Sequence, residues 1–104
     1  MFGDRHPPMS SLKSMLGHTM GAASGFGAIA CCKAIEESFL PPTINLRTAD
    51  PAFGEGIDFV GDGARTADVR IAQNHGFAFG GNNAITIFGA YTDREPAGAQ
   101  EEGR

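Results

Sequence analysis

Cysteine, basic charge and long apolar runs are all in short supply in this chain, and each shortage excludes something. The only two cysteines in 104 residues are neighbours, Cys31 and Cys32. Adjacent cysteines on a helix cannot bridge each other without strain, so a disulfide framework is excluded. A reducing cytoplasm is the expected compartment. Eight Lys and Arg are scattered singly against twelve acids, and the net charge is −4. With no basic stripe, nucleic acid is excluded as a partner. The charge-free run Thr19–Cys32 is shorter than the roughly 20 residues of a membrane span, and glycines interrupt it. Met1–Met9 has no apolar signal-peptide core. The three histidines, His6, His18 and His75, have no ligand spacing, and no carboxylate pairs with them in sequence. No metal is therefore expected, and nothing in the sequence calls for a cofactor.

Glycine is what the chain has in excess. Its fifteen glycines are about twice the ordinary share. Seven of them fall in two stretches, Gly17–Gly27 and Gly76–Gly81, and there is no internal repeat. Hydrophobic residues at 41% and charged residues at 19% exclude a wholly disordered protein. The length allows one domain at most.

The chain opens with a polar, extended lead-in, MFGDRHPPMS, and His6 reads as a solvated loop residue. Ser11–His18 reads as a loop or short turn that carries Lys13 and His18. Thr19 is a plausible N-cap, and the pattern from there to Phe39 is helical. That helix is apolar all round at first, so it is expected to be buried. Gly21, Gly25 and Gly27 lower its propensity by roughly 1 kcal/mol each, which implies close approach of another backbone. Pro41-Pro42 ends it. Thr43–Gly56 is irregular. Ile57–Val60 is a short strand candidate, and Gly61-Asp62-Gly63 is a turn. Val69–Asn74 and Ala84–Tyr91 read as strands that pair antiparallel across a nine-residue glycine-rich loop. Thr92–Arg104, with four acids, two arginines and no aliphatic beyond alanine, reads as a disordered acidic tail. The domain is thus expected over residues 1–91 and the tail over 92–104.

One helix without a polar face and one hairpin do not make a closed core. The chain is therefore expected to lack part of its own cover, which a partner, a second copy or a longer parent chain would supply.

His18 and Lys13 stand just before a helix start, where backbone N–H groups have no internal partner and the dipole end is positive. Such a corner suits an oxygen that gains negative charge. His18 alone reads equally as a loop histidine that helps cap the helix, and Lys13 as an exposed lysine. Cys31 and Cys32 read as small hydrophobes, since an apolar setting raises a thiol's pKa. The loop Gly76–Asn83 reads either as backbone amides turned toward a ligand or as a tight β-connection.

The run K-S-M-L-G-H-T-M-G-A-A-S-G, Lys13–Gly25, resembles the lysine–histidine motif K-S-x-x-G-H-x-x-G-A-A-G of the β-ketoacyl-acyl-carrier-protein synthases. These belong to the thiolase-like superfamily. Ser24, which looks inserted before Gly25, is a departure from the pattern. A second stretch, G-F-A-F-G-G-N-N-A, is similar to the family's terminal N-S-F-G-F-G-G-T-N-A. It differs by His75 for asparagine, Gly76 for serine, Ala78 for glycine and Asn82 for threonine. P-P-T-I-N-L at Pro41–Leu46 matches the stretch between the two motifs. The resemblance covers Phe2 to about Tyr91.

The resemblance implies an α/β fold: the C-terminal part of a thiolase-like fold, with a buried helix and closing antiparallel strands, incomplete on its own. It implies a part in the decarboxylative Claisen condensation of malonyl-carrier thioester with an acyl thioester, in fatty acid or polyketide synthesis. By position, His18 resembles the second catalytic histidine and Lys13 the lysine that tunes it. Phe77 resembles the gating phenylalanine whose backbone N–H helps form the oxyanion hole. Phe79, Gly80, Gly81 and Asn83 fall on the supporting F-G-G-x-N. No cofactor is implied. The implied partners are an acyl carrier protein and either the missing N-terminal synthase portion or a homodimer mate.

The family's nucleophilic cysteine and first histidine lie upstream of this motif, and the chain is expected to be inactive by itself. A non-catalytic interaction subunit and a truncated remnant are the alternatives. A thiolase-type acyltransferase is the alternative within the superfamily. Thiolases normally carry proline after the motif histidine and a terminal C-x-G-G-G, whereas this chain has Thr19 and no cysteine near Gly80-Gly81.

Overall fold

The computed structural model describes residues 2–92. Of the expected acidic tail, all but Thr92 lies outside the described residues. In chain order the elements are a four-residue helix α1 (Lys13–Leu16), a 3-10 turn (Met20–Ala22), α2 (Ala23–Glu37), β1 (Phe39–Leu40), a second 3-10 turn (Pro51–Phe53), β2 (Arg65–Thr66), β3 (Ile71–Ala78) and β4 (Asn82–Gly89).

Alanine supports α2 along its length, at Ala23, Ala28, Ala30 and Ala34. The helix stops earlier than Pro41-Pro42 would require. Ser38 takes a left-handed φ of 56° and its N–H closes on the Ala34 carbonyl. Phe39-Leu40 then leave the helix to pair antiparallel with Arg65-Thr66, a two-stranded element absent from the sequence reading. At the front, Thr19 precedes a 3-10 turn and makes no side-chain cap.

The hairpin is longer than its sequence suggests. Strands β3 and β4 pair antiparallel from Ile71↔Gly89 to Ala78↔Asn82. The expected nine-residue loop shrinks to Phe79-Gly80-Gly81, because Gly76 and Ala78, weak strand formers, are held in the ladder by Ala84 and Asn82. Gly80 and Gly81 both take positive φ, 87° and 84°, which the tight connection needs.

Ile57–Val60 forms no strand. It is tied instead by single bonds: Met9 N–H donates to Asp58 C=O at 2.8 Å, and Thr43 N–H to Val60 C=O at 2.9 Å. Val60 is the most deeply buried side chain, despite a left-handed φ of 53°. A β-branched residue there is strained. Its N–H is held by Asp58 Oδ1 at 2.9 Å.

Among the described residues, Ala34 and Val60 are the only buried hydrophobics. The helix expected to be buried is therefore covered on one side only. The inward row of the hairpin, Ala72, Asn74 and Gly76 with Phe88, is half-buried, and β3 is the element that packs most closely on α2. The outward row stays open, with Ile71, Phe77, Ile85 and Ile87 each more than half exposed. Phe26 and Ile29 of α2 are exposed too. Burying such side chains stabilises by about 1.5–3 kcal/mol each, so several kcal/mol of apolar surface has no cover within these residues.

Candidate active site

Ser11–His18 is held by side chains that the sequence reading left without a role. Ser14 Oγ donates to Ser11 C=O at 2.8 Å and accepts from Ile44 N–H at 3.0 Å. Ser11 N–H donates to Thr43 Oγ1 at 3.0 Å. The P-P-T-I-N stretch is thus a rail against which the segment ahead of His18 is clamped. Lys13 stands on α1 rather than in a loop, because those bonds close a helical turn around it. It is exposed, and among the described residues it forms no ion pair.

His18 sits between α1 and the 3-10 turn that leads into α2. Its Nδ1 accepts from the Met20 N–H at 3.0 Å. A backbone N–H can only donate, so Nδ1 is the acceptor and the neutral ring carries its proton on Nε2. Met20 adopts a left-handed φ of 53°, costly for a non-glycine residue. The contact satisfies an amide at the mouth of the helix, as a capping histidine would, and leaves Nε2–H free to donate outward.

The hairpin tip lies at this same end of α2. Asn74 packs on Gly27, and its Nδ2 donates to Ser24 C=O at 2.9 Å. Gly76 packs against Ser24. The β3 numbers rise as the α2 numbers fall, so β3 runs toward the helix N-terminus. Phe77 follows at once, on the face turned away from α2.

Phe77 is exposed, with its ring edge-on to His75 at 5.8 Å. His75 Nε2 lies 3.1 Å from Gln73 Oε1, so Gln73, His75 and Phe77 form one row on the outward face. Asn83 stands opposite Phe77 in the ladder. Phe79 is fully exposed at the tip. Gly80 and Gly81 make the turn, and the Gly81 N–H is used within it, donating to Ala78 C=O at 3.3 Å. The glycine loop is therefore a tight β-connection. Strand direction carries the hairpin tip toward the end of α2 from which His18 leads in, but among the described residues neither α1 nor the Met20–Ala22 turn packs on β3 or β4, and no bond links Lys13 or His18 to Phe77, Phe79 or Asn83.

Residues 1–47 match the family described as "Beta-ketoacyl synthase, C-terminal domain". The chain is 40% identical over 91 residues to 3-oxoacyl-[acyl-carrier-protein] synthase 1 of Haemophilus influenzae, covering 88% of this chain and 22% of that protein. The solved structure of the ishigamide ketosynthase/chain length factor superposes with a TM-score of 0.78 at 55% identity, over 85% of this chain and 22% of that one.

The chain corresponds to the C-terminal portion of a β-ketoacyl synthase.

A second solved structure is similar to it, a type II PKS acyl-carrier protein in complex with its ketosynthase bound to the hexaketide. It has a TM-score of 0.76 and 30% identity, over 82% of this chain and 20% of that one. The fold is accordingly a part of the thiolase-like α/β fold. The chain spans about a fifth of the length of these relatives, in keeping with the open faces of α2 and the hairpin.

Two cysteine expectations divide. Burial, and then the neighbouring Cys32, push the Cys31 thiol above its ordinary pKa, as expected for an inert residue. Cys32 is exposed rather than buried, because the uncovered side of α2 includes it. The glycines of α2 also divide. Gly27 accommodates a neighbour, though a side chain and not a backbone, whereas Gly21 and Gly25 face open space. Among the described residues, no helix is long and apolar enough to cross a membrane.

Proposed function

We propose that this chain supplies the histidine–lysine half of a ketosynthase active site for carbon–carbon bond formation in fatty acid or polyketide synthesis. One observation carries the reading: Met20 N–H occupies His18 Nδ1, which leaves Nε2–H as a fixed donor at the helix mouth. In this scheme a cysteine on the completing polypeptide holds the acyl group as a thioester. The malonyl thioester of an acyl carrier protein loses CO2, and the electron pair of the broken C–C bond passes into an enolate. His18 Nε2–H donates to the enolate oxygen, and the Lys13 cation favours the negative charge. The enolate carbon attacks the acyl carbonyl, with the developing oxyanion met by the Phe77 N–H. The C–S bond to the cysteine then breaks and returns the thiolate. Phe79, Gly80, Gly81 and Asn83 keep the Phe77 turn in shape. No cofactor takes part.

The completing polypeptide would carry the nucleophilic cysteine and the first histidine, and it would cover the outward rows of α2 and the hairpin. Dimerisation and a cytoplasmic setting belong to the same proposal. A second reading, a non-catalytic interaction subunit, is favoured by the exposed row Ile71, Ile85 and Ile87, which fits a partner whether or not His18 acts.

The test is to assemble the chain with a cysteine-bearing ketosynthase portion and follow CO2 release from malonyl-carrier thioester. His18→Ala should lower that rate roughly 100-fold or more while assembly persists. An unchanged rate in a stable assembly would sink the catalytic reading in favour of the interaction subunit.

A further inference from the structure

The most closely fitted contact among the described residues is not at His18 but between α2 and β3. An added Cβ on Gly27 would fall on the Asn74 amide, 2.8 Å from its Cγ and 3.2 Å from its Nδ2. Gly27 therefore leaves a notch in the helix, and the Asn74 carboxamide fills it. From there Nδ2 reaches Ser24 C=O at 2.9 Å, three residues nearer the helix start. Two residues along, Gly76 comes so close to Ser24 that a Cβ would lie 2.6 Å from its Oγ. A steric notch, a directional hydrogen bond and a second close approach together admit one register of strand on helix.

We infer that Asn74 is a positioning residue. By locking β3 to the first turns of α2, it fixes how far along the helix Phe77 and its turn stand from His18. The inference rests on the ketosynthase reading only for its consequence in catalysis, since the lock itself is geometry. Slippage of β3 by two residues would carry Phe77 about 7 Å along the helix, too far for a donor that must meet a developing oxyanion. Without Asn74 the α2–β3 contact keeps its apolar part but loses both the notch filler and the hydrogen bond.

The lock is tested in the full 104-residue chain by hydrogen exchange. Asn74→Ala should speed exchange in residues 75–84 by up to about tenfold, the worth of one hydrogen bond. The amides that pair Phe39-Leu40 with Arg65-Thr66 should be unaffected. Gly27→Ala should act likewise by expelling the amide. The double variant Gly27→Ala/Asn74→Ala should be no worse than Asn74→Ala alone, since the two changes remove one contact. Unchanged exchange at the tip, or a uniform rise that includes β1 and β2, overturns the lock, as does full additivity of the two changes.

In the assembled synthase, Asn74→Ala should lower kcat with the KM for malonyl-carrier thioester preserved. An equal kcat would overturn the catalytic consequence. If the unaltered assembly makes no product, the ketosynthase reading fails, while the exchange result still decides the lock.

Discussion

Ser24 of α2 and Gly76 of β3 are complementary in size. A Cβ at 76 would sit 2.6 Å from Ser24 Oγ and 3.8 Å from Ser24 Cβ. Both residues depart from the ketosynthase motifs that the chain resembles. Counted from His18, Ser24 occupies the last glycine of the first motif, and Gly76 occupies the serine of the second. The two departures are thus in contact with each other: a hydroxymethyl group stands on the helix, and none stands on the strand opposite it.

The exchange predicts a coupling. Gly76→Ser alone should push the Ser24 hydroxyl out of its rotamer, at about 0.5–1.5 kcal/mol. Adding Ser24→Gly should restore the fit. A double-mutant cycle on unfolding free energy reads the coupling directly, and strict additivity would refute it.

The clamp on the His18 segment predicts a local effect. Ser14→Ala removes the acceptor for Ile44 N–H and the donor to Ser11 C=O. The cost should be about 1 kcal/mol. Limited proteolysis between Lys13 and His18 should quicken, with β3 and β4 protected as before. Equal cleavage rates would show that the clamp holds nothing.

Acid should loosen the lead-in. The Arg65 hydrogen bond, and next the Val60 N–H, hold the Asp58 carboxyl below its ordinary pKa, against a slight opposing effect of burial. A group depressed on folding stabilises fully above its unfolded pKa and stops doing so as pH falls through the lower folded value. The contribution should therefore be intact at pH 7 and fade below about pH 4. Both side chains are more than a third exposed, so salt should weaken the pair and its total effect should be small. Asp58→Asn should flatten this part of the pH–stability curve, and an unaltered curve would count against the pair.

Alkylation should distinguish the adjacent thiols. Burial and Cys32 raise the Cys31 pKa, which lowers its thiolate fraction near pH 8, whereas Cys32 is exposed. Iodoacetamide should modify Cys32 several-fold faster, as read by peptide mass spectrometry. Equal rates would contradict the placement of α2.

The order in which these features could be known follows from their range. Composition and spacing alone carried the local elements: the alanine-supported helix, the antiparallel pairing of its two following β runs, and the K-S-x-x-G-H run that sets His18 before a helix start. They also carried the inference of a missing cover, because an apolar helix needs burial on every side and one hairpin has only one inward face. Contacts between residues far apart in the chain were not legible. Nothing in one-letter code says that Ser14 is held by Ile44, that Asn74 fills a notch at Gly27, or that Phe39-Leu40 would leave the helix for Arg65-Thr66. Gly76 and Ala78 read as loop because their own preferences are weak, and only the opposite strand overrides them. Sequence determined which chemistry this chain can bring to a site. Tertiary structure decided the tautomer of His18, the register of β3 on α2 and the end of the helix at which Phe77 stands, since each depends on a partner distant in sequence or on backbone geometry set by packing.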